Sequence, residues 1–354
     1  MAKTCLTMER LQMLCDRFPQ ANLAVLGDFF LDDYWILDKD LSEISIETGL
    51  EAYQVVGTRK SPGAAGTVTS ILRSLDANVR AVSFCGDDGN GFELRRALTR
   101  LQVNLEHFYT FADRFTPTYM KPMLRKDGIE TELSRMDTKN RQPLGSQKES
   151  QIIQGLRATL PHIHTVLITD QVQERNCGVV TDAVRAEVAQ LAGHNPGTLF
   201  LVDSREHMHL FKNVILKFNI TEAKRALNNT QPDDTPGLAF ELGRQLFEQH
   251  HKPVIITRGE QGIQVTDQNG SILVPAFPVS GPTDIVGAGD SVMASMGTAL
   301  SIGATLQEAA EIGVVTSSII IQQIGTTGTA SRQQVLQRFQ EYSQFIHSQP
   351  DPAR

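Results

Sequence analysis

A glycine-rich turn followed at once by an aspartate is the part of this sequence best suited to chemistry. The turn consists of Gly287, Ala288, Gly289 and Asp290, and small apolar residues typical of a buried helix come next. Such a turn exposes backbone N–H groups at the positive end of a helix dipole, where a phosphate can bind. The carboxylate is either a helix N-cap or a base that takes a proton beside the phosphate. The turn alone leaves both interpretations open.

The elements that position this turn are predicted by apolar runs that alternate with helical patterns. The predicted strands cover residues 21–28, 79–89, 164–170, 198–204, 213–219 and 253–259. This alternation predicts an α/β fold with a doubly wound, mainly parallel sheet and helices on both faces. Ligands bind beyond the carboxyl ends of the strands in such sheets, so the polar residues that follow each run are candidate site residues.

Two polar, extended stretches interrupt the alternation, at about residues 44–62 and 116–137. We expect them to form a small antiparallel sheet apart from the main one. Such a sheet is either a pair of surface hairpins or a lid over the site, and the pattern does not decide between them. We interpret the chain, residues 1–354, as a single domain with these segments as its lid.

Composition restricts the class of protein and the kind of partner. The 354 residues carry a net charge of −7, which argues against a nucleic-acid-binding surface. No apolar run approaches the roughly 18–20 residues that a membrane-spanning helix needs. The four cysteines are scattered without a C-x-x-C pair, which favours a reducing compartment. We therefore expect a cytoplasmic protein that binds neither nucleic acid nor membrane.

Several motifs in a fixed order make the turn recognisable. "DIVGAGDSVMAS" resembles the C-terminal signature of the ribokinase-like (PfkB) carbohydrate kinases, and "VSFCGDDGNGFELRRAL" resembles their N-terminal signature. "LGDFFLDDYW", "SPGAAGTV", "LKFNITEA" and "ITRGEQG" are similar to further elements of that family. Their order over about residues 20–335 is much more specific than any one motif. The similarity extends to the kinase module of bacterial ADP-heptose synthesis proteins.

The resemblance implies a ribokinase-like kinase that uses ATP and Mg²⁺ to phosphorylate a hydroxyl of a sugar or sugar phosphate. Asp290 would be the general base, and the N–H groups of residues 287–290 would form an anion hole for the transferring phosphoryl group. An aspartate suffices as the base because phosphoryl transfer depends mainly on positioning and charge neutralisation.

The resemblance also implies three sets of ligand-binding residues. The substrate-binding set is Asp32, Gly63, Ala64, Thr67 and Asp170. The nucleotide-binding set is Asn219, Thr257, Gly259, Gly262, Asp284, Gly313 and Ser317. The metal-binding set is Glu222 and Asn219.

Some of these residues have a purely structural alternative. Asn219 and Glu222 have the spacing of a helix capping box. Asp170 ends a predicted strand and could cap the helix that follows. Asp33 adjoins Asp32, but successive strand residues point to opposite faces, so only one of the two can face the site.

The match departs from the family just before the glycine-rich turn and in the sugar loop. Ile285 replaces the usual threonine after Asp284, and Thr67 replaces the asparagine of the sugar loop. The motifs therefore predict a kinase without naming its sugar. Two alternatives remain, namely a nucleoside or vitamin-alcohol kinase of the same fold and a sugar-sensing protein without turnover.

A phosphorylated acceptor would need cationic side chains close to the sugar. In or near the predicted lid, Arg59, Lys60, Lys121 and Arg125 are candidates on charge alone. The family resemblance further implies a homodimer in which the lid strands of two chains meet. The sequence contains no H-x-G-H nucleotidyltransferase signature, so we expect kinase activity only.

Overall fold

The structure is a computed structural model that describes residues 5–231, 235–325 and 327–348. The tail from residue 349, which the sequence predicts to be frayed, lies outside the described residues. The helices are α1 (Met8–Arg17), α2 (Ala65–Ser74), α3 (Gly89–Arg100), α4 (Ser146–Thr159), α5 (Asp182–His194), α6 (Ile220–Ala226), α7 (Pro236–His250), α8 (Ala288–Ser301), α9 (Leu306–Ile320) and α10 (Arg332–Ser348). The strands are β1 (Asn22–Gly27), β2 (Phe29–Ile44), β3 (Glu51–Ala64), β4 (Asn78–Gly86), β5 (Asn104–Phe111), β6 (Thr118–Lys126), β7 (Ile129–Glu132), β8 (Met136–Thr138), β9 (Thr165–Asp170), β10 (Leu199–Ser204), β11 (Ile215–Asn219), β12 (Val254–Thr257), β13 (Ile263–Asp267) and β14 (Gly270–Val274).

The main sheet has nine strands in the order β14-β13-β12-β11-β10-β9-β1-β4-β5. Neighbours from β12 to β5 run parallel, and β13 and β14 add an antiparallel edge. All six predicted strands lie in this sheet. The chain moves outward from β1 through β4 to β5 and then returns to β9 on the other side of β1. This reversal creates a crevice beyond the carboxyl ends of β1 and β9, where ligands bind in such folds.

Alternation along the strands divides the core into two layers. In β1, Leu23 and Val25 pack into one hydrophobic cluster, while Ala24 and Leu26 pack into the other. The first cluster includes residues of α1, α2, α8, α9 and α10, and the second includes residues of α4, α5 and α7. Because both faces of the sheet are covered, its strands are apolar throughout, which produces the continuous apolar runs seen in the sequence.

A second sheet of five strands lies apart from the main one, in the order β3-β2-β6-β7 with β8 paired to β6. We call β2, β3, β6, β7 and β8 the second sheet. Most of its pairs are antiparallel, as predicted, but β2 and β6 run parallel. The sheet also begins earlier than predicted, at Phe29 rather than near residue 44, because β2 follows β1 after one residue.

The start of the described chain is held by α9. The backbone N–H groups of Cys5 and Leu6 donate to the buried Glu311 carboxylate over 2.9 and 3.3 Å. Arg10 of α1 forms an ion pair with Glu308, also on α9, with an N–O distance of 2.8 Å. None of the described helices is long and apolar enough to cross a membrane.

Candidate active site

The glycine-rich turn forms the start of α8. Gly287 occupies the N-cap position with φ of 82°, a left-handed conformation that favours glycine. The helix begins at Ala288, so Asp290 lies in its first turn and does not cap it. The capping interpretation of Asp290 is therefore wrong, and its carboxylate makes no hydrogen bond with any residue that the structure describes.

The backbone N–H groups of the turn are only partly available. The N–H of Ala288 donates to the carbonyl of Ile285 over 3.1 Å, so this residue does not offer a free donor as predicted. Within the described part of the chain, the N–H groups of Gly287, Gly289 and Asp290 have no protein acceptor. Three of the four expected donors can therefore receive an anion at the positive end of α8.

Asp290 combines partial access with a strongly perturbed carboxyl group. The residue is half-buried rather than sealed in the core. Burial raises the pKa of Asp290 to about 7, and the neighbouring Asp203 carboxylate contributes in the same direction. Lys217 and Arg205 oppose this rise, and Asp32 adds to it. The predicted base and the predicted sugar-binding carboxylate are therefore close enough to interact electrostatically.

A buried ion pair beside Asp290 was not predicted from the sequence. Lys217 of β11 lies on the same face as Ile215, toward α8, and Asp203 of β10 is its direct neighbour in register. The Lys217 Nζ atom lies 2.5 Å from Oδ2 of Asp203. A Cβ atom added at Gly289 would lie 3.4 Å from the same Nζ. The ammonium group is thus held directly below the start of α8.

Lys217 stays charged despite its burial. Burial works against the charged form, but the Asp203 carboxylate outweighs it and raises the pKa of Lys217 above the ordinary value for lysine. A buried charge of this kind is costly unless it is paired, which makes it a candidate for function rather than stability. The signal in the sequence is a lysine and an aspartate near the ends of two apolar strands, but only the register shows that they meet.

At the acceptor end, Asp32 of β2 is held by groups of the second sheet. Its side chain lies 2.9 Å from Lys121 Nζ on β6, and the same Nζ donates to the Tyr34 hydroxyl over 3.2 Å. Burial disfavours the charged lysine, but Asp32 raises the pKa of Lys121 overall. A Cβ atom at Gly63 would lie only 2.5 Å from Oδ2 of Asp32, so glycine is required for this approach.

The sugar loop and the catalytic turn meet. The Thr67 methyl group would lie 3.7 Å from a Cβ atom at Gly287, which places α2 against the start of α8. Ala64 precedes α2 with φ of 54° and ψ of −117°, a conformation that glycine adopts more easily. Alanine at this position therefore carries local backbone strain.

Asp170 is not brought to the site, in contrast to its predicted role. Its carboxylate accepts a hydrogen bond from Ser204 Oγ over 2.7 Å and lies 3.5 Å from both Arg185 and His207. The residue is 3% exposed. Its strand end turns into the layer of α5, where buried charges need partners, so the carboxylate serves the core rather than a ligand.

Asp28 is a second structural carboxylate that sequence reasoning missed. It accepts backbone N–H groups from Gln171, Val172 and Val179 over 2.7–2.9 Å. Burial raises the pKa of Asp28 to about 6, and the nearby Asp170 carboxylate adds to the rise. Asp28 therefore fixes the loop that follows β9 at the edge of the crevice.

Asn219 and Glu222 form the capping box of α6 that was one of their two interpretations. Asn219 Oδ1 accepts the Glu222 N–H over 2.9 Å, and Glu222 Oε2 accepts the Asn219 N–H over 2.7 Å. Burial raises the pKa of Glu222, and the Asp203 carboxylate raises it further. The box uses one oxygen of Glu222, and the other has no hydrogen-bonding partner among the described residues.

Four of the residues predicted to bind the nucleotide lie at a strand end or in a turn. Thr257 ends β12, and Gly259 and Gly262 shape the turn that follows, with φ of 56° and 100°. A Cβ at Gly262 would collide with the carbonyl of Val274, so this glycine serves the turn itself. Asp284 accepts the Val286 N–H over 3.0 Å and so shapes the segment before α8.

Gly313 occupies a packing position instead of a ligand site. It lies in the buried part of α9, where a Cβ atom would come within 3.2 Å of Ile263 and Met296. The glycine therefore lets α9 approach α8 and β13 closely. Ser317, one turn later, is half-buried and uses its carbonyl to accept the Ile321 N–H over 3.0 Å.

Of the four cationic candidates near the acceptor, only Lys121 contacts Asp32. Lys60 lies 3.6 Å from Asp33, which follows Asp32 and points to the opposite face of β2. Arg125 pairs with Asp38 at 3.1 Å on an exposed part of the second sheet. Arg59 lies against the Tyr34 ring, with its guanidinium carbon 4.7 Å from the ring centroid.

A cavity bordered by Tyr119, the neighbour of Asp32 in strand register, has two further cations in its wall. It opens between the second sheet and the carboxyl ends of β1 and β9, and its walls include Phe30, Tyr119, Gln171, Lys139 and Arg205. Arg205 is exposed, and its side chain forms no ion pair or hydrogen bond within the described ranges. Its positive charge also lowers the pKa of Asp290, in opposition to burial, so Arg205 interacts electrostatically with the catalytic turn.

Comparison with known proteins agrees with this geometry. The family described as pfkB family carbohydrate kinase matches residues 34–333. The chain therefore belongs to the pfkB family of carbohydrate kinases, and the expected class of enzyme, a sugar-kinase phosphotransferase that uses ATP, is confirmed.

Among curated relatives, the chain is 26% identical over 310 residues to the bifunctional protein HldE of Coxiella burnetii, strain RSA 331 / Henzerling II. This alignment covers 87% of the chain but 62% of the relative, so the chain spans less than two thirds of that protein's length.

Among solved structures, the fold is similar to phosphofructokinase-2 from Escherichia coli in complex with potassium. That similarity has a TM-score of 0.70 at 19% identity and covers 92% of this chain and 99% of that one. Ribokinase from Arabidopsis thaliana, complexed with ribose and ATP, gives a TM-score of 0.67 at 18% identity and covers 90% and 98% of the two chains. The predicted ribokinase-like fold is thereby confirmed.

Proposed function

We propose that the protein transfers the γ-phosphoryl group of ATP to a hydroxyl of a phosphorylated sugar, with Asp290 as the general base. One observation carries this proposal. Asp290 is an accessible carboxylate with a pKa of about 7, and it lies beside free helix N–H groups and a buried ammonium group. A base with a pKa near the working pH is suited to accept a proton from an alcohol during its attack.

In the proposed reaction, the acceptor hydroxyl lies between Asp32 and Asp290. Asp32 accepts hydrogen bonds from neighbouring hydroxyl groups of the sugar and so orients the reacting one. Asp290 takes the hydroxyl proton as its oxygen bonds to the γ-phosphorus, and the bond from that phosphorus to the β–γ bridging oxygen breaks. ADP leaves with the electron pair of the broken bond. Orientation and charge neutralisation then supply most of the rate acceleration.

The negative charge on the transferring group is met by two kinds of donor, backbone N–H groups and an ammonium group. The N–H groups of Gly289 and Asp290 point outward at the start of α8, and Lys217 lies directly below them. Preorganised donors of this kind do not need to reorganise during the reaction. We assign Lys217 the role that the missing P-loop lysine has in other phosphate-binding proteins.

The described residues also fit a magnesium ion. Among them, no cluster of three or more His, Cys, Asp or Glu side chains could hold a metal. Mg²⁺, however, keeps most of its waters and is often held through one or two carboxylates. Glu222 and Asp203 interact electrostatically, and each has an oxygen without a hydrogen-bonding partner among the described residues. They would hold the ion, which when bound supplies charge neutralisation for the ATP phosphates.

The cations in the wall of the cavity bordered by Tyr119 support an anionic acceptor. Arg205 offers an exposed guanidinium, and Lys139 is 4.0 Å from its only ion-pair partner in the described chain, Glu174. Guanidinium and ammonium groups are the side chains that bind phosphate. The resemblance to kinase modules of ADP-heptose synthesis proteins supports the same substrate class, a sugar phosphate phosphorylated at its anomeric hydroxyl.

A panel of acceptors tests the proposal. Purified protein is incubated with Mg·ATP and with sugars, sugar phosphates, nucleosides and vitamin alcohols, and the phosphorylated product is identified by mass spectrometry. We expect turnover with a sugar phosphate and loss of 10²–10⁴-fold in kcat for Asp290→Asn. Asp113→Asn, which removes an exposed carboxylate paired with Lys148, is the matched control. Full activity of Asp290→Asn, or turnover of nucleosides only, would refute the proposal.

We further propose that the second sheet acts as a lid and as a dimer interface. Its outer half and the β2–β3 turn expose many large apolar side chains. These include Leu41, Ile44, Ile46, Leu50, Tyr53, Val55, Val56, Ile129 and Met136. Exposed apolar patches of this kind mark interaction sites. Sedimentation of the wild type and of Ile44→Lys tests this assignment, and a monomeric wild type would contradict it.

A further inference from the structure

A chain of contacts begins at Asp32 and continues across the second sheet. Lys121 contacts both the Asp32 carboxylate and the Tyr34 hydroxyl, over 2.9 and 3.2 Å. The guanidinium carbon of Arg59 lies 4.7 Å from the centroid of the Tyr34 ring, and Lys121 Nζ lies at the same distance from it. Both cations therefore contact the ring of one tyrosine, which connects the predicted acceptor carboxylate to Arg59 on β3.

Arg59 is also hydrogen-bonded to the connection between α9 and α10, of which the structure describes residues 321–325 and 327–331. Its Nη2 donates to the Gly325 carbonyl over 3.1 Å, a contact between residues 266 positions apart. The Gln323 amide closes this connection, since it donates to the Thr329 carbonyl over 2.7 Å and accepts the Thr329 N–H over 3.2 Å. Arg59 thus attaches the second sheet to a connection that is itself cross-linked.

The same connection contacts the catalytic turn at two points. A Cβ atom at Gly287 would lie 3.5 Å from the Thr327 methyl group. The Asp284 N–H, just before the turn, donates to the Ile321 carbonyl over 2.8 Å. The position of residues 321–331 therefore bears directly on the backbone that forms the anion hole.

We propose that Arg59 is a positioning residue that couples acceptor binding at Asp32 to the geometry of the anion hole at Gly287. This inference rests on the proposed kinase function. An acceptor that binds Asp32 changes the pairing of Lys121, and the contacts through Tyr34 and Arg59 pass the change to residues 321–331. Arginine suits this position because its planar group can lie on a ring and donate in its own plane at once.

A structural alternative assigns Arg59 to surface pairing only. It lies 3.6 Å from Glu130, and such exposed pairs contribute little. Lys39 of β2 provides a matched control for this alternative. It lies over the Tyr53 ring and pairs with Glu51, and its side chain is 39% exposed against 40% for Arg59. Among the described residues, Lys39 makes no contact with the α9–α10 connection.

Hydrogen exchange of the backbone amides gives a first test that needs no acceptor. Arg59→Met and Lys39→Met are compared with the wild type by mass spectrometry of peptides that cover residues 281–290 and 321–331. We expect exchange in both peptides to accelerate several-fold in Arg59→Met and to stay at the wild-type rate in Lys39→Met. Equal exchange in the two variants would overturn the proposal.

Steady-state kinetics gives a second test. The acceptor KM is measured at limiting and at saturating ATP in the wild type, Arg59→Met, Arg59→Lys and Lys39→Met. We expect the wild type to bind the acceptor several-fold more tightly at saturating ATP, and Arg59→Met to lose this dependence and about tenfold in kcat. Arg59→Lys keeps a donor and is expected to recover part of both. If Arg59 has only a structural role, the acceptor KM of Arg59→Met will depend on ATP as it does in the wild type.

The two tests separate failure of this inference from failure of the proposed function. If the wild type phosphorylates a sugar phosphate, Asp290→Asn does not, and Arg59→Met behaves like Lys39→Met, only the role of Arg59 is refuted. If the wild type phosphorylates no acceptor, the proposed function fails, and the exchange measurement still decides whether Arg59 fixes the catalytic turn.

Discussion

The catalytic end and the acceptor end of this crevice are built in different ways. At the catalytic end, Asp290, Lys217 and Asp203 come from one helix start and two neighbouring parallel strands, and the ion pair is buried in the layer between them. At the acceptor end, Asp32 is held by Lys121 and faces Gly63, all three on strands of the second sheet. The first set is fixed by the main core, while the second depends on a smaller sheet.

The two ends also differ in how closely this sequence follows the family motifs. A change at the start of α8 would disturb both the sheet and the helix packed on it, so few residues fit there. At the acceptor end, Ala64 at the end of β3 and Thr67 in α2 depart from the family pattern. The sequence therefore predicts the catalytic chemistry but does not identify the acceptor.

The largest effect on catalysis is expected for Lys217→Met at the catalytic end. Loss of the ammonium group below the anion hole should reduce kcat by about 10²–10³-fold, the usual effect of removing one stabilising donor. Lys212→Met, an exposed lysine just before the same strand, should have no effect. Initial rates at saturating ATP and acceptor provide the measurement. A loss below threefold would mean that the buried pair serves only the fold.

A substitution at the acceptor end should act on binding instead. Gly63→Ala places a methyl group only 2.5 Å from Oδ2 of Asp32 and so displaces this carboxylate. We expect the acceptor KM to rise about tenfold or more while the KM for ATP changes little. Gly57→Ala on the same strand is the control, because its new Cβ would meet nothing closer than 4.0 Å. Equal effects on both substrates would contradict the separation of the two ends.

The pH profile tests the electrostatics of the catalytic end. Asp290 must be ionised to act as a base, so kcat/KM should rise with pH through about 7. The Asp203 carboxylate raises the pKa of Asp290, and its removal in Asp203→Asn favours the ionised form. The acidic limb should therefore move to lower pH. A limb that stays in place, or moves up, would show that Asp203 does not act on the base.

The smallest effect is expected for Ala64→Gly. Glycine adopts φ of 54° and ψ of −117° without the strain that alanine carries, so the substitution should raise the free energy of unfolding by about 1 kcal/mol. Ala52→Gly on the same strand, at a residue without positive φ, should bring no gain. Chemical denaturation of both variants measures the difference. Destabilisation by Ala64→Gly would show that the alanine side chain contributes packing that outweighs the strain.

Six of the nine strands of the main sheet were predicted from the sequence, because their apolar runs are bounded by polar or glycine residues, whereas β5, β13 and β14 were not predicted. The start of the second sheet was not, because only Asp28 separates β1 from β2 and the two strands look like one motif. The parallel pairing of β2 with β6 also has no local signal, since it depends on contacts between residues about 87 positions apart.

The same limit applies to the site. Asp290 and the glycines before it could be found from type and spacing. The Lys217–Asp203 pair could not be predicted, because it depends on strand register. The contacts of Asp170 with Arg185 and Ser204 could not be predicted either. Gly313 has the residue type expected near a ligand but serves helix packing. The roles of the predicted site residues stay predictions until the variants above are measured.

The attachment of Cys5 and Leu6 to Glu311 has a practical consequence for anyone who produces this protein. The two N–H groups donate hydrogen bonds to a buried carboxylate in α9, the helix next to α8. A version shortened to begin at Thr7 would leave that carboxylate without these donors and would be expected to fold poorly.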